Sequence, residues 1–354
     1  MRPIIGVVAA SLDIVGGQGV QAHALVRQLQ HDGRTVRFIP VNPRFPRRLA
    51  RLRRYPYART ALNQLLYLPS LAALRHVDVV HAFSASYWSF LLAPVPAMLA
   101  ARGLGKRVVL HYHSGEAEDH LGRWGARVHP WLRLAHEIVV PSDYLRTVFA
   151  RFGYNVRVIR NIVDTSRFRY RDRTPLRPRL LSVRNLESHY GVDVILEAFA
   201  LLKARDPQAT LVVVGNGTQA DRLRRLATSL GHGGIRFTGS VAPTMMPSLY
   251  EQADVLVNAS LIDNQPVSIL EAFAAGLPVV STPTGDIGNM LGYGQRGVVV
   301  EPNDPPALAK AVMELLADYA AAHRLVQTAR AEVERYTWAA VCDEWTAVYS
   351  GAAA

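Results

Sequence analysis

The sequence lacks most of what would tie a protein to an oxidising compartment or to the inside of a bilayer. Cys342 is the only cysteine in 354 residues, which excludes an intrachain disulfide and any cysteine-based metal site and fits a reducing compartment, the cytoplasm. Long apolar runs are missing as well. The most membrane-like stretch, residues 89–101, is shorter than the ~20 residues that cross a bilayer and contains Pro94 and Pro96, so no span is expected. At the start of the chain the apolar run 4–10 meets Asp13 too early for a signal-peptide core and reads instead as a first strand. Solenoid-type repeats and low-complexity segments are also absent. Acid is scarce: 28 Asp and Glu face 40 Lys and Arg, a formal charge of +12.

What is present is a globular composition, 49% apolar and 19% charged. Single cores stop growing near ~250–300 residues, so two domains are expected. The basic excess raises the question of nucleic acid, whose phosphates attract such proteins. The charge, however, crowds one segment, where Arg44, Arg47, Arg48, Arg51, Arg53, Arg54 and Arg59 interleave with Leu49, Leu52, Tyr55, Tyr57, Leu62, Leu65 and Leu66. A basic, partly amphipathic stretch of this kind suits an anionic membrane surface. It equally suits a solvated arginine-rich loop and helix. No nucleic-acid partner is expected, and the location expected is cytoplasmic with peripheral attachment at the inner membrane face.

Short β-branched runs alternate with longer amphipathic stretches, at 4–10, 35–41, 77–82, 107–112, 137–140 and 156–159, then again at 179–183, 210–214, 235–238, 254–258, 277–281 and 297–300. This rhythm predicts an α/β protein with two parallel-sheet domains. Residues 169–178, charged, proline-containing and without apolar periodicity, read as an exposed linker between domains 1–168 and 179–335. Beyond it, Trp338, Val341, Trp345 and Val348 fall at helical spacing in an amphipathic terminal segment, 336–354. In open α/β sheets ligands bind outside the carboxyl ends of the strands, so the chemistry is sought in the loops that follow them.

Two glycine-rich turns follow strand runs. Gly16, Gly17 and Gly19 flank Gln18 before a helical pattern, where glycine lets backbone approach a ligand and a helix start favours anions, or simply shapes the turn. Gly215 and Gly217 read as a structural turn. A more specific segment runs from Asp263 through Asn264, Gln265, Pro266, Val267, Ser268, Ile269 and Leu270 to Glu271, and on through Gly276, Leu277 and Pro278. Two acids bracket seven residues, and a polar loop presents backbone N–H groups at a helix start, where a sugar diphosphate is well accommodated. Glu271 can accept hydrogen bonds from ribose hydroxyls, or merely favour the positive end of the helix.

This segment resembles the acid-bracketed motif of glycosyltransferase family 4, the group 1 glycosyltransferases. The resemblance extends in order through Asn161 to Phe168, Arg184 to Asp193, Gly239 to Tyr250 and Ala253-Asp254. It implies the GT-B architecture, two Rossmann-like domains facing across a cleft, with an acceptor-binding first domain, a nucleotide-sugar-binding second domain and a terminal helix crossing back to the first. It implies a retaining transfer from a nucleotide-diphosphate sugar to a glycan, lipid or small-molecule hydroxyl, with no metal and no cofactor besides the donor substrate. His113, Arg184 and Asp263 would form the catalytic set. Gly17, Arg184, Tyr190, Ser240, Val241, Gln265, Pro266, Val267, Ser268 and Glu271 would line the donor, and Gln18, His111 and Glu116 the acceptor side.

The chain departs from the family pattern in three places. Tyr190 stands where a phosphate-binding lysine is usual, Asp263 replaces a glutamate, and Asn289 occupies a position that is often acidic. A missing cation must be compensated by Arg184, His189 or another arginine. The departures keep open a catalytically weak binding or regulatory subunit, and a nucleotide-sugar epimerase of the same fold is a third reading.

Overall fold

Parallel strands covered on both faces read as unbroken β-branched runs, and the twelve runs of the sequence become twelve strands. The structure, a computed structural model, describes residues 2–12, 16–46, 48–49, 51, 55–231 and 233–352, apart from the side chain of Pro56. The chain divides into two compact units, one running through Ile162 and resuming at Val341, the other Val163–Ala340.

In the first unit β1 (Ile5–Ala9), β2 (Val36–Pro40), β3 (Val79–Ser84), β4 (Arg107–Tyr112), β5 (Glu137–Val140) and β6 (Arg157–Val158) form one sheet in the order β2-β1-β3-β4-β5-β6. Every pairing is parallel. The strand β3 runs two residues further than its β-branched run suggests, through Phe83 and Ser84, because β4 pairs with it as far as Tyr112. All residues of β1 and β3 are buried.

The second unit repeats the plan with β7 (Arg179–Val183), β8 (Thr210–Val214), β9 (Ile235–Gly239), β10 (Val255–Asn258), β11 (Val279–Ser281) and β12 (Val298–Val299). Its parallel sheet has the order β12-β11-β10-β7-β8-β9. Alternate side chains go to opposite faces: Leu180, Leu211 and Val257 join one apolar cluster, Leu181, Val214 and Leu256 another. Covering helices are thereby fixed on both sides. Each unit is a Rossmann-like layer structure.

Residues 163–168 belong to the second unit, where Val163 N donates to Tyr336 O at 2.8 Å. The stretch 169–178 is not uniformly exposed. Arg173 is buried, its guanidinium donating to the carbonyls of Tyr250, Ala253, Ala275 and Gly276 at 2.8–2.9 Å. Buried Asp254 balances that charge and pairs with Arg171 and Arg179 as well. Composition marks such a segment as solvated, but one buried arginine that donates to four carbonyls overrides it.

The terminal helix Trp338–Ser350 buries Val341, Trp345, Val348 and Tyr349. From Val341 onward it packs in the first unit, where Trp345 lies 5.0 Å from the rings of both His81 and His111. The 89–101 stretch is broken into helices Tyr87–Leu92 and Pro94–Gly103, and no helix among the described residues is long and apolar enough to cross a membrane. In the basic segment, Arg47, Leu52, Arg53 and Arg54 lie outside the described residues. The helix Pro56–Ser70 that follows leaves Tyr57 and Leu65 90% and 70% exposed.

Candidate functional site

In the second sheet β7 lies between β10 and β8, so the residue that follows it stands at the centre of the carboxyl edge, where such sheets bind ligands. That residue is Arg184. Its Nε donates to Asn258 Oδ1 at 2.8 Å, at the end of β10, and its Nη2 pairs with the Asp263 carboxylate. The guanidinium also lies 5.3 Å from the centre of the Tyr190 ring. Both members of the ion pair are mostly buried, at 11% and 12% side-chain exposure. The cation assigned to a diphosphate is therefore held by a carboxylate.

The loops on this edge interlock through backbone. Gly215 donates its N–H to Gly239 O at 2.9 Å, and at φ +137° it lies so close to Arg184 O that a side chain would overlap the carbonyl. This glycine is structural, as its turn suggested, and it draws the loops after β7, β8 and β9 together. Ser240 is exposed just beyond Gly239, and Val241 is partly buried against the core. Gly191, at φ +59°, is equally constrained, since a Cβ there would strike Ala259 O. That contact fixes Tyr190 beside Arg184.

From Asp263 the chain enters a loop braced from below. Asn264 O accepts from Asp286 N at 3.0 Å, and the Gln265 side chain donates to the buried Asp286 carboxylate at 3.2 Å, so that amide is engaged by the protein. Pro266 then starts the helix Val267–Ala275 in an extended conformation, and no side chain caps the start. The leading amides, Val267 and Ser268, have no intrahelical acceptor by geometry and carry the positive end of the helix dipole.

Glu271 is not in the first turn of this helix. Placement at the dipole's positive end alone does not account for it. Burial raises its carboxyl to about 7, against the opposing pull of a hydrogen bond from Tyr250 and the charge of Arg167. Tyr250, itself buried on the helix preceding β10, shares its one hydroxyl hydrogen between Glu271 and Ser268 O, the latter at 3.2 Å, and so ties Glu271 to the helix start. A carboxyl that burial raises this far is frequent at binding sites.

A second set of candidates gathers at the carboxyl edge of the first sheet. His113 follows β4, its N–H donating to Ser84 O at 3.0 Å and its ring stacked on Phe83 at 5.2 Å. His111 lies on the same face of the strand, its ring 4.1 Å from that of His113. At 4% exposure, with His81 on its Nδ1 at 3.2 Å and Trp345 against its ring, it offers no surface to an acceptor. The acceptor-side assignment of His111 is corrected accordingly; it backs His113. Burial lowers His113 to about 3, so its imidazole is neutral.

Glu116 is partly buried beyond this strand, its backbone N–H bonded to Ser114 Oγ at 3.2 Å at the start of helix Ala117–Arg123. Gly17 and Gln18 open the helix Gly17–His31 after β1. Unlike Gly191 and Gly215, Gly17 has no described atom within 4 Å of where a Cβ would stand and no positive φ, so packing does not explain the glycine. Gln18 Nε2 is buried without a hydrogen-bond partner among the described residues. Sequence reasoning missed Tyr250, Asn258, Asp286, His81 and Tyr349. Asn258, at a strand's carboxyl end, and Tyr250, at the end of a segment that carries the family resemblance, had a positional signal.

Comparison with known proteins agrees with this geometry. The family described as Glycosyltransferase Family 4 matches residues 15–167, and that described as Glycosyl transferases group 1 matches residues 168–332. A glycogen synthase of Mycobacterium tuberculosis is 32% identical over 296 residues, covering 78% of this chain and 69% of that protein. A GDP-mannose-dependent phosphatidylinositol monomannoside mannosyltransferase of Mycolicibacterium smegmatis is 30% identical, covering 65% and 67%. Among solved structures, a sucrose-phosphate synthase of Thermosynechococcus elongatus superposes with a TM-score of 0.77 at 20% identity, covering 99% of both chains. The Anabaena protein HepE in complex with UDP-glucose superposes at 0.75 and 18% identity, covering 99% of this chain and 100% of that one. The chain belongs to the group 1 glycosyltransferases of family 4 and has their GT-B fold of two Rossmann-like units.

Proposed function

We propose that the protein is a metal-independent, retaining glycosyltransferase that moves a sugar from a nucleotide-diphosphate sugar to a hydroxyl of a glycan, lipid or small molecule. One observation carries this reading: a guanidinium, an uncapped helix start and a carboxyl of raised pKa, Arg184, Val267–Ser268 and Glu271, all belong to the carboxyl edge of one sheet. Guanidinium and amides match a diphosphate, and the carboxylate matches ribose hydroxyls. The donor diphosphate displaces Asp263 from Arg184 and takes its charge. As the bond from anomeric carbon to phosphate oxygen breaks, the acceptor oxygen bonds to that carbon from the same face and its proton passes to the leaving diphosphate. Arg184 and the helix amides stabilise the departing charge without a metal. His113 meets the sugar near the reacting carbon, with Gln18 and Glu116 on the acceptor side.

The relatives named for GDP-mannose and the neighbour solved with UDP-glucose support a nucleotide-sugar donor while differing in the base. A thermal-shift panel of UDP- and GDP-sugars tests the reading, because a ligand that binds only the folded state raises its melting temperature. Activity lost in EDTA and restored by Mg²⁺ or Mn²⁺ would contradict metal independence. A catalytically weak binding subunit is the second reading, favoured by Tyr190 at the lysine position and by the Asp263 hold on Arg184. Nucleotide binding without turnover by any acceptor would establish it, and isomerised donor without acceptor would indicate an epimerase.

The proposed setting is the inner membrane face. Between Asp32 and Asp78 the sequence has no acidic residue, and Tyr57, Leu65 and Leu68 stand exposed on the helix in that interval.

A further inference from the structure

A chain of buried polar rings runs from the last helical turn of the protein to the histidine pair. Tyr349 Oη lies 2.8 Å from His81 Nδ1, and His81 Nε2 lies 3.2 Å from His111 Nδ1. The His111 ring rests against His113 at 4.1 Å. Tyr349, His81 and His111 are all buried, and Trp345, one turn before Tyr349, packs on both histidines. Burial keeps His81 and His111 neutral at pH 7, so each ring has one N–H and one lone pair.

Two proton arrangements satisfy both contacts. In the forward one Tyr349 donates to His81 Nδ1, His81 Nε2–H donates to His111 Nδ1, and the proton of His111 sits on Nε2. In the reverse one every donor becomes an acceptor. His111 Nε2 has no hydrogen-bond partner among the described residues, and His81 is the sole polar partner found there for the Tyr349 hydroxyl. The forward arrangement leaves the His111 Nε2–H and the phenol oxygen's lone pairs unmet, and the reverse leaves the phenol hydrogen and the His111 Nε2 lone pair unmet. The forward arrangement is favoured because it pairs the stronger donor, the phenol, with the stronger acceptor, an imidazole nitrogen, and leaves the weaker donor and the weaker acceptor without partners.

We propose that Tyr349 and His81 are positioning residues that hold His111 in its Nε2–H form against the His113 ring, so that the terminal helix sets the hydrogen-bonding state of the histidine pair. The catalytic consequence rests on the reading of His113 as the group that meets the donor sugar. The tautomer does not.

The test uses the full chain with ¹⁵N-labelled histidine and long-range ¹H–¹⁵N correlation, which distinguishes Nδ1–H from Nε2–H. Wild type should show His81 and His111 both protonated at Nε2. In Tyr349→Phe the ring and helix persist but the hydroxyl is gone, each arrangement then leaves one imidazole donor and one imidazole acceptor unmet, and both histidines should become mixtures. Trp345→Phe, which keeps the hydroxyl, should retain the wild-type pattern. Assayed with UDP-glucose and GDP-mannose, Tyr349→Phe should lower kcat roughly tenfold while KM for the donor is unchanged. A wild-type His111 protonated at Nδ1, or signals and kcat unaltered in Tyr349→Phe, overturns the proposal. If wild type turns over neither donor, the function reading fails separately and the tautomer measurement still decides the relay.

Discussion

At the scale of single residues the site is a compromise around Arg184. Asp263, one methylene shorter than the usual glutamate, pairs with the guanidinium, and Tyr190 covers it with a ring where a second cation is usual. Charge-assisted hydrogen bonds contribute about 1.5–3 kcal/mol. Tyr190→Lys should accordingly tighten nucleotide-sugar binding about tenfold, measured by calorimetry, and weaker binding would argue against a diphosphate at this edge. Glu271 supplies a pH signature. Its carboxyl is raised from 4.5 to about 7, so the folded chain holds this proton more tightly than the unfolded one. Its contribution to stability falls as pH rises from 4.5 towards 7 and is level above. Relative to Glu271→Gln, wild type should lose urea stability across that window. Nucleotide affinity should do the opposite and rise through pH 7 as the accepting carboxylate forms, with no such rise in the glutamine variant.

The elements differ in how much of them the sequence disclosed. The central strands were readable because a strand buried on both faces writes its burial as consecutive Val, Ile and Leu, as in Val255–Asn258, whereas the partly buried edge strands β2, β6, β9 and β12 were readable from their place in the strand-helix rhythm. The donor loop and its helix were readable because Asp263 through Glu271 is a local pattern. Arg184 with Asp263, Tyr250 with Glu271, and His81 with Tyr349 were not, since each pair joins distant elements and neither partner signals the other. Arg173 misled for the same reason. It looks like linker charge, yet it closes the end of the helix Val267–Ala275 by binding Ala275 O and Gly276 O. Removing one partner of a buried ionic network costs about 3–5 kcal/mol. Arg173→Ala should lower the urea midpoint of the second unit by a matching amount, whereas a change below about 1 kcal/mol would show the guanidinium to be dispensable.

For the whole molecule, two Rossmann-like units and a charge of +12 carry the two functional claims. The acid-free interval around helix Pro56–Ser70 should bind phosphatidylserine-containing vesicles in low salt and release them as salt is raised, because the attraction is screened within a Debye length. Replacing Tyr57 and Leu65 with serine should weaken sedimentation with those vesicles while leaving the melting temperature nearly unchanged, both side chains being largely exposed. Equal sedimentation with neutral vesicles would contradict an electrostatic attachment. The central claim is that the second unit holds a nucleotide-diphosphate sugar through Arg184, the start of helix Val267–Ala275 and Glu271. Calorimetric titration of the full chain with UDP-glucose and GDP-mannose, in wild type and Glu271→Ala, tests it most directly. Saturable binding of at least one donor, weakened about tenfold or more in the variant, is the predicted result. Binding of neither donor, or equal binding by a folded Glu271→Ala protein, would contradict it.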